Sequence, residues 1–130
     1  MRRLFLLLVL VLAVGLLAAC GGSGYSQTSD TASYHIQLSL DGVDFNERTA
    51  TITVQDKSGQ AATVDQVVVA PIMEAMGMAA PEQTAQPLGN GRYQVKGAFF
   101  SMLGDWEFDV RVSSAGNEEV ARFTVPVQTQ

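Results

Sequence analysis

Three methionines within six residues form the one cluster in the sequence whose side chains and spacing predict a ligand site. Met73, Met76 and Met78 stand at i, i+3 and i+5 on a short segment, and Met102 lies near a later turn that could face them. Thioether sulfur is a soft, uncharged ligand, so it binds Cu(I) without losing a proton. His35, the single histidine, could add an imidazole because it lies on the polar side of its strand pattern. These five residues are the candidate metal site, and copper(I) is the candidate cofactor.

The same methionines also fit a metal-free interpretation. Methionine fills irregular gaps well, and a methionine loop that closes one end of a fold is an effective hydrophobic cap. Glu74, inside the cluster, is a hard oxygen ligand and weakens a site for a soft metal. The two interpretations differ in whether the sulfur atoms converge on one point or disperse into the core.

The rest of the sequence gives no pattern that is typical of an enzyme. There is one histidine, the single cysteine is Cys20, and no Ser/His/Asp or Cys/His arrangement is recognisable. The chain has 13 Asp and Glu against 8 Lys and Arg, a formal net charge of −5. An acidic domain lacks the basic surface that binds phosphate backbones, so we expect no nucleic-acid partner.

The N-terminal segment resembles a bacterial lipoprotein signal. A short basic start, Met1-Arg2-Arg3, precedes an apolar run over residues 4–19 that ends in small residues at Leu17-Ala18-Ala19-Cys20. The alternative is an uncleaved transmembrane anchor, but the run is short against the roughly 20 residues that a span needs. We therefore expect a signal peptide over residues 1–19, lipid on Cys20, and an extracytoplasmic domain held at a membrane of the cell envelope.

A flexible tether is predicted after the lipidated cysteine. Residues 21–33 are rich in Gly, Ser and Thr, and Tyr25 is their one large apolar residue. Such a composition buries too little apolar surface to offset the entropy of folding. The predicted organisation is thus Cys20 and a tether over residues 20–33, followed by a folded domain over residues 34–130.

Short segments with a period of two predict an all-β domain. Turn residues separate these segments, and about seven antiparallel strands at this spacing favour an immunoglobulin-like β-sandwich. Trp106 is expected in the core between two sheets. Pro126 cannot donate a main-chain hydrogen bond, so the last strand is expected at a sheet edge or only half paired. Phe99 and Phe100 are expected to give one core ring and one exposed ring. The main apolar positions are Ile36, Leu38, Leu40, Ile52, Val54, Val67, Val69, Tyr93, Val95, Trp106, Phe108, Val110, Val112, Phe123, Val125 and Val127.

Helical periodicity is weak throughout the sequence. Residues 71–80, rich in Ala and Met, are the one candidate helix. Gly77 and the following Pro81 limit that helix to a turn or two.

An ordered set of short motifs runs through residues 43–112. They are the stretch from Asn46 to Val54, the turn Asp56–Gly59, the strand Val67–Val69, the loop Met73–Met78, Gly91-Arg92-Tyr93, and Met102, Gly104 and Trp106. With these motifs the segment resembles the YtkA-like domain family of small bacterial envelope domains. Two departures stand in the methionine loop, where Glu74 replaces the usual proline and no histidine follows Met78. The resemblance implies an immunoglobulin-like sandwich, and it implies an association with copper handling and oxidase assembly.

Three functional hypotheses follow from the sequence. The first is an envelope lipoprotein that binds or delivers Cu(I) through the methionine loop. The second is a metal-free binding module that serves an envelope or membrane protein complex or binds a small ligand. The third is a structural envelope domain without a discrete ligand. In all three the membrane is reached through the lipid on Cys20.

Overall fold

The computed structural model describes residues 24–129, which form two facing antiparallel β-sheets. Sheet A has the strand order β1-β2-β3-β8-β7, and sheet B has the order β10-β9-β4-β5 with β6 also paired to β4. The strands are β1 Tyr25–Asp30, β2 Tyr34–Leu40, β3 Arg48–Asp56, β4 Gln66–Met73, β5 Met78–Ala79, β6 Gln83–Thr84, β7 Gln86–Gly89, β8 Arg92–Gly97, β9 Gly104–Ser114 and β10 Asn117–Val127.

The predicted all-β sandwich is confirmed, with ten strands in place of about seven. The additional strands include β5 and β6, two residues each, and the four-residue β7. Strands this short carry too few residues to show a period of two, so the sequence pattern does not reveal them. The predicted helix over residues 71–80 is a single 3₁₀ turn, Glu74–Met76, which Gly77 ends with a positive φ of 60°.

The core lies between the inward faces of the two sheets, as the alternation predicts. Ile36, Leu38 and Ile52 from sheet A and Val110 and Val125 from sheet B are fully buried. Alternate residues on the same strands are polar and lie on the outer faces, where all but Asp109 are at least partly exposed, so each sheet has one apolar face. This shared apolar layer is what fixes the register of the long strands.

Trp106 is 1% exposed, which confirms its predicted place in the core. Its indole N–H donates to the carbonyl of Met102 at 3.0 Å. Its ring meets the ring of Phe100 edge to face, with centroids 5.7 Å apart. The expectation of one exposed ring at Phe99-Phe100 is wrong, since each is 2% exposed. The segment leaves the sheet after β8, and an irregular backbone allows both rings to turn inward, where Phe99 also packs on Phe108.

The predicted tether is wrong from Tyr25 onward. Tyr25–Asp30 is strand β1, which pairs with β2 along its whole length, from Tyr25 opposite Leu40 to Asp30 opposite His35. Its polar side chains stay in solvent while its backbone completes the edge of sheet A, so stability comes from pairing rather than from apolar burial. The folded domain therefore begins before residue 34. The predicted signal peptide and Cys20 lie outside the described residues.

Candidate functional site: the methionine end of the sandwich

Three loops meet at one end of the sandwich, which we call the methionine end. They are residues 41–47 between β2 and β3, residues 74–77 between β4 and β5, and residues 98–103 between β8 and β9. Antiparallel pairing brings them together, because Ile72 near the end of β4 lies opposite Glu107 near the start of β9. Gly104 starts β9 with a φ of 130°, and a β-carbon there would lie 3.1 Å from the terminal methyl of Met73. The loop after β8 and the methionine loop are therefore in direct contact.

Met73 and Met78 form a cross-strand pair at this end. They lie directly opposite each other in the antiparallel pairing of β4 with β5. Residues in such positions project to the same side of a sheet, with β-carbons about 4.5–5.5 Å apart. Met73 is 3% exposed and belongs to the core, whereas Met78 is 40% exposed. The pair thus connects the core to the surface.

The other two methionines of the candidate site have different surroundings. Met76, in the 3₁₀ turn, is 60% exposed. Met102 is partly buried against the core, and its carbonyl receives the Trp106 indole N–H. Met73 and Met102 therefore act in packing, as the hydrophobic-cap interpretation expects, while Met76 and Met78 are exposed residues.

His35 does not join the methionines. It lies near the start of β2, five residues before Leu40, where β2 reaches the methionine end. Five residues of strand cover about 17 Å, so the imidazole lies near the opposite end of sheet A. There its Nδ1 is 2.5 Å from a carboxylate oxygen of Asp30, and this hydrogen bond lowers the pKa of Asp30. The structure thus assigns His35 to a surface pair between β1 and β2.

Exposed apolar side chains from two further loops also lie at the methionine end. Phe45 is 52% exposed and Leu103 is 48% exposed. Both line a groove of about 350 Å³ together with Asp44, Asn46, and the end of the chain from Val127, the last residue of β10, to Thr129. The sequence analysis missed these two residues because neither belongs to a strand pattern with a period of two. A signal was present in Leu103, since it adds a further apolar residue to residues 98–103, a segment that has no such period.

Charged groups at this end are mainly acidic. The Arg48 guanidinium donates hydrogen bonds to both carboxylate oxygens of Asp44, which holds the pKa of that carboxyl far below its usual range. Asn46 adds further hydrogen bonds to the same carboxylate, so this ion pair also orders the loop that carries Phe45. Four other carboxylates are exposed around the end: Asp41, Glu47, Glu74 and Asp105. The charge of Arg48 is balanced by Asp44, and the exposed Lys96 near the end of β8 offsets one of the other four carboxylates, so the end is net negative.

Two other kinds of site are absent from residues 24–129. Within this range no three His, Cys, Asp or Glu side chains lie close enough to hold a metal ion together. Among the same residues there is also no helix with the length and apolar character needed to cross a membrane.

The profile of the YtkA-like family matches residues 27–111, which is more than half of the chain. This chain belongs to the YtkA-like family. The match begins inside β1 and ends within β9, so the YtkA-like region includes all three loops of the methionine end. Comparisons with curated proteins and with solved structures give no significant match.

Proposed function

We propose that this YtkA-like protein is an accessory module of the bacterial envelope, anchored by lipid on Cys20, and that the methionine end is its contact surface. One observation carries the proposal. Four large apolar side chains, Phe45, Met76, Met78 and Leu103, are each at least 40% exposed in or beside the three loops of that end. Single exposed apolar residues are normal on a protein surface, whereas a group at one place marks an interaction site.

The surrounding geometry supports a contact surface rather than a catalytic one. Met73, Trp106 and Phe100 are buried directly beneath the end, so the exposed side chains stand on a packed base. A rigid base lowers the entropy that ordering a contact surface costs on binding. The groove between Phe45 and Leu103 is open, and its polar lining consists of neutral amides and hydroxyls apart from Asp44.

Site-specific photo-cross-linking tests this proposal. The full chain, expressed in its host and kept in its native membranes, would carry a photoreactive phenylalanine at position 103. The matched control places it at Leu88, which is 49% exposed and lies at the opposite end, before the turn Gly89-Asn90-Gly91. We expect adducts of defined mass from position 103 and far fewer from position 88. Equal labelling at the two positions, or none at either, would exclude the methionine end as a contact surface.

Cu(I) binding is the second candidate function, and the cross-strand pair of Met73 and Met78 favours it. Two thioethers on one side of a sheet, with Met76 in the turn between them, could provide soft ligands without any change of protonation. Met73 would have to turn its sulfur from the core toward Met78, and Met102 would have to leave its packing position to take part. His35 lies too far along β2 to contribute.

A Cu(I) titration against a competing chelator tests this candidate. Met76→Leu and Met78→Leu keep volume and apolar character but remove the sulfur, so thermal stability should barely change. If the site is real, wild type binds tightly and both variants lose affinity, whereas a His35→Gln control binds like wild type. Equal, weak binding in all four proteins would leave the methionines as a cap and a contact surface.

A further inference from the structure

The point at which the chain enters the fold fixes which end of the sandwich is closest to the anchor. Tyr25, the first residue of β1, pairs with Leu40, the last residue of β2. Gly24 lies against Leu40 and Asp41, where the first loop of the methionine end begins. The 23 residues that precede Gly24 therefore join the domain at the methionine end and not at the end that carries His35.

The connection to the predicted anchor is short because β1 occupies most of the expected tether. Only Gly21, Gly22, Ser23 and Gly24 separate Cys20 from β1. Four residues reach at most about 14 Å when fully extended. The methionine end, where the chain enters the fold, therefore cannot stand far from the bilayer. The short tether thus keeps this end of the domain nearer to the membrane than the opposite end.

The side chains that this orientation brings to the bilayer are suited to its interface. Phe, Leu and Met are apolar, and side chains of this kind enter the boundary between headgroups and acyl chains when a protein lies on a membrane. Phe45 and Leu103 flank one groove, and Met76 and Met78 occupy the neighbouring loop. Within residues 24–129, the other exposed large apolar residues, Leu88 and Val120, lie away from this end.

Charge at the methionine end selects among lipids. Asp41, Glu47, Glu74 and Asp105 are exposed there, whereas Arg48 is paired with Asp44. An anionic surface repels this arrangement, and the basic clusters that bind anionic lipids are absent from it. Zwitterionic headgroups carry no net charge, so the apolar side chains can approach them without this electrostatic repulsion.

We infer that the methionine end rests on the lipid bilayer itself, with Phe45 and Leu103 inserted at the level of zwitterionic headgroups. The inference rests on the proposed function, because it names the lipid interface as the occupant of that contact surface. The domain then stands with its strands pointing away from the membrane. The opposite end, with the pair of His35 and Asp30, faces the aqueous space.

Quenching by brominated lipids tests the inference. The full lipidated chain would be reconstituted into phosphatidylcholine vesicles that carry bromine at the upper acyl chain. Trp106→Phe removes the native fluorophore, and a reporter tryptophan is placed by Leu103→Trp or, as the matched control, by Leu88→Trp. We expect the reporter at position 103 to be quenched several times more strongly than the reporter at position 88. Raised salt should leave this quenching unchanged, and added phosphatidylglycerol should weaken it.

Each outcome decides the inference. Strong quenching at position 103 alone, in vesicles that hold no other protein, supports contact with lipid. Equal quenching at both positions, or none at position 103 while the chain stays on the vesicles, overturns it. If cross-linking in native membranes still labels position 103 in that case, the proposed function stands and the occupant is a partner protein. Failure of the chain to remain on vesicles overturns the anchored orientation.

If the Trp106→Phe background unfolds, electron paramagnetic resonance replaces the fluorescence measurement. A nitroxide attached to Leu103→Cys, with Cys20 lipidated, then reports the depth of position 103 in the bilayer.

Discussion

Tyr93→Phe should destabilise the domain far more than its small chemical change suggests. The Tyr93 hydroxyl accepts the N–H of Val64 at 2.9 Å and lies 3.3 Å from the carbonyl of Val64, to which it donates. Both residues are buried, at 5% and 7% exposed. These bonds attach the connection between β3 and β4, and thus sheet B, to β8 of sheet A. Removing one oxygen atom leaves a donor and an acceptor of the main chain without a partner.

The magnitude follows from those two bonds. Each intramolecular hydrogen bond contributes about 0.5–1.5 kcal/mol net, and an unsatisfied buried group costs about 1–3 kcal/mol. Val64 and Tyr93 also line an open groove of about 600 Å³, so water can reach part of the exposed backbone and offset some of the loss. We expect a cost of about 2 kcal/mol, which lowers Tm by roughly 10 °C in a domain of this size.

Tyr25→Phe is the matched control. Its hydroxyl also donates to a main-chain carbonyl, that of Thr124 at 3.0 Å, but this bond is exposed and water can replace it. The control should lose at most about 0.5 kcal/mol. Urea unfolding followed by the fluorescence of Trp106, the single tryptophan, reports both variants. If the two variants unfold at the same urea concentration, burial does not set the strength of the Tyr93 bonds and the argument fails.

Three further predictions concern the core, the anchor and the pH dependence of stability. Trp106→Ala should cost about 3–5 kcal/mol by chemical denaturation, because a fully buried ring is lost; a cost under about 1 kcal/mol would contradict the packing. Mass spectrometry of the membrane fraction should find an acylated N-terminal Cys20, and Cys20→Ser should block processing; an unmodified chain that starts at Met1 would exclude the lipoprotein. The pKa of Asp44 lies below its ordinary 3.8 because of Arg48, so this pair stabilises the fold above that pH and the stability is lost as pH falls below it. Asp44→Asn should therefore unfold with a shallower pH dependence below about pH 4, a difference that calorimetry at a series of pH values would detect.

The long strands were predictable because each has one buried face. In β9, Trp106, Phe108, Val110 and Val112 alternate with Glu107, Asp109 and Arg111, and this period of two is visible without coordinates. The two-sheet packing then follows, because each sheet must cover its apolar face. What the alternation does not contain is the strand partner, so the order of strands in each sheet had to come from the structure.

Strand β1 could not be predicted for the opposite reason. Its residues, Tyr-Ser-Gln-Thr-Ser-Asp, are those of a linker, and only Tyr25 packs against the core. Its order comes from the backbone ladder to β2 and from contacts at its two ends. Burial alone would raise the pKa of Glu119, but its carboxylate accepts the N–H of Ser33 just beyond β1, and the hydrogen bonds leave that pKa lowered. Contacts of this kind join residues 86 positions apart and leave no local signal.

The candidate site was predicted in part. The spacing of Met73, Met76 and Met78 identified the loop, but spacing does not tell which sulfur turns inward. His35 was included for its parity on β2, and parity gives the face of a strand but not the position along it. Phe45 and Leu103 were missed because the loops that carry them are adjacent only after folding.

Strand β1 also determines how the protein bears mechanical load. A pull on the N terminus, resisted at the far end of the sandwich, runs along the axis of β1. The hydrogen bonds between antiparallel strands lie perpendicular to that axis, so the load is shared among the pairs from Tyr25 with Leu40 to Asp30 with His35. A pull across the sheet would instead break the hydrogen bonds between β1 and β2 one after another. The first strand is therefore loaded in shear, and tension applied at the N terminus would act on all of its hydrogen bonds before the domain unfolds.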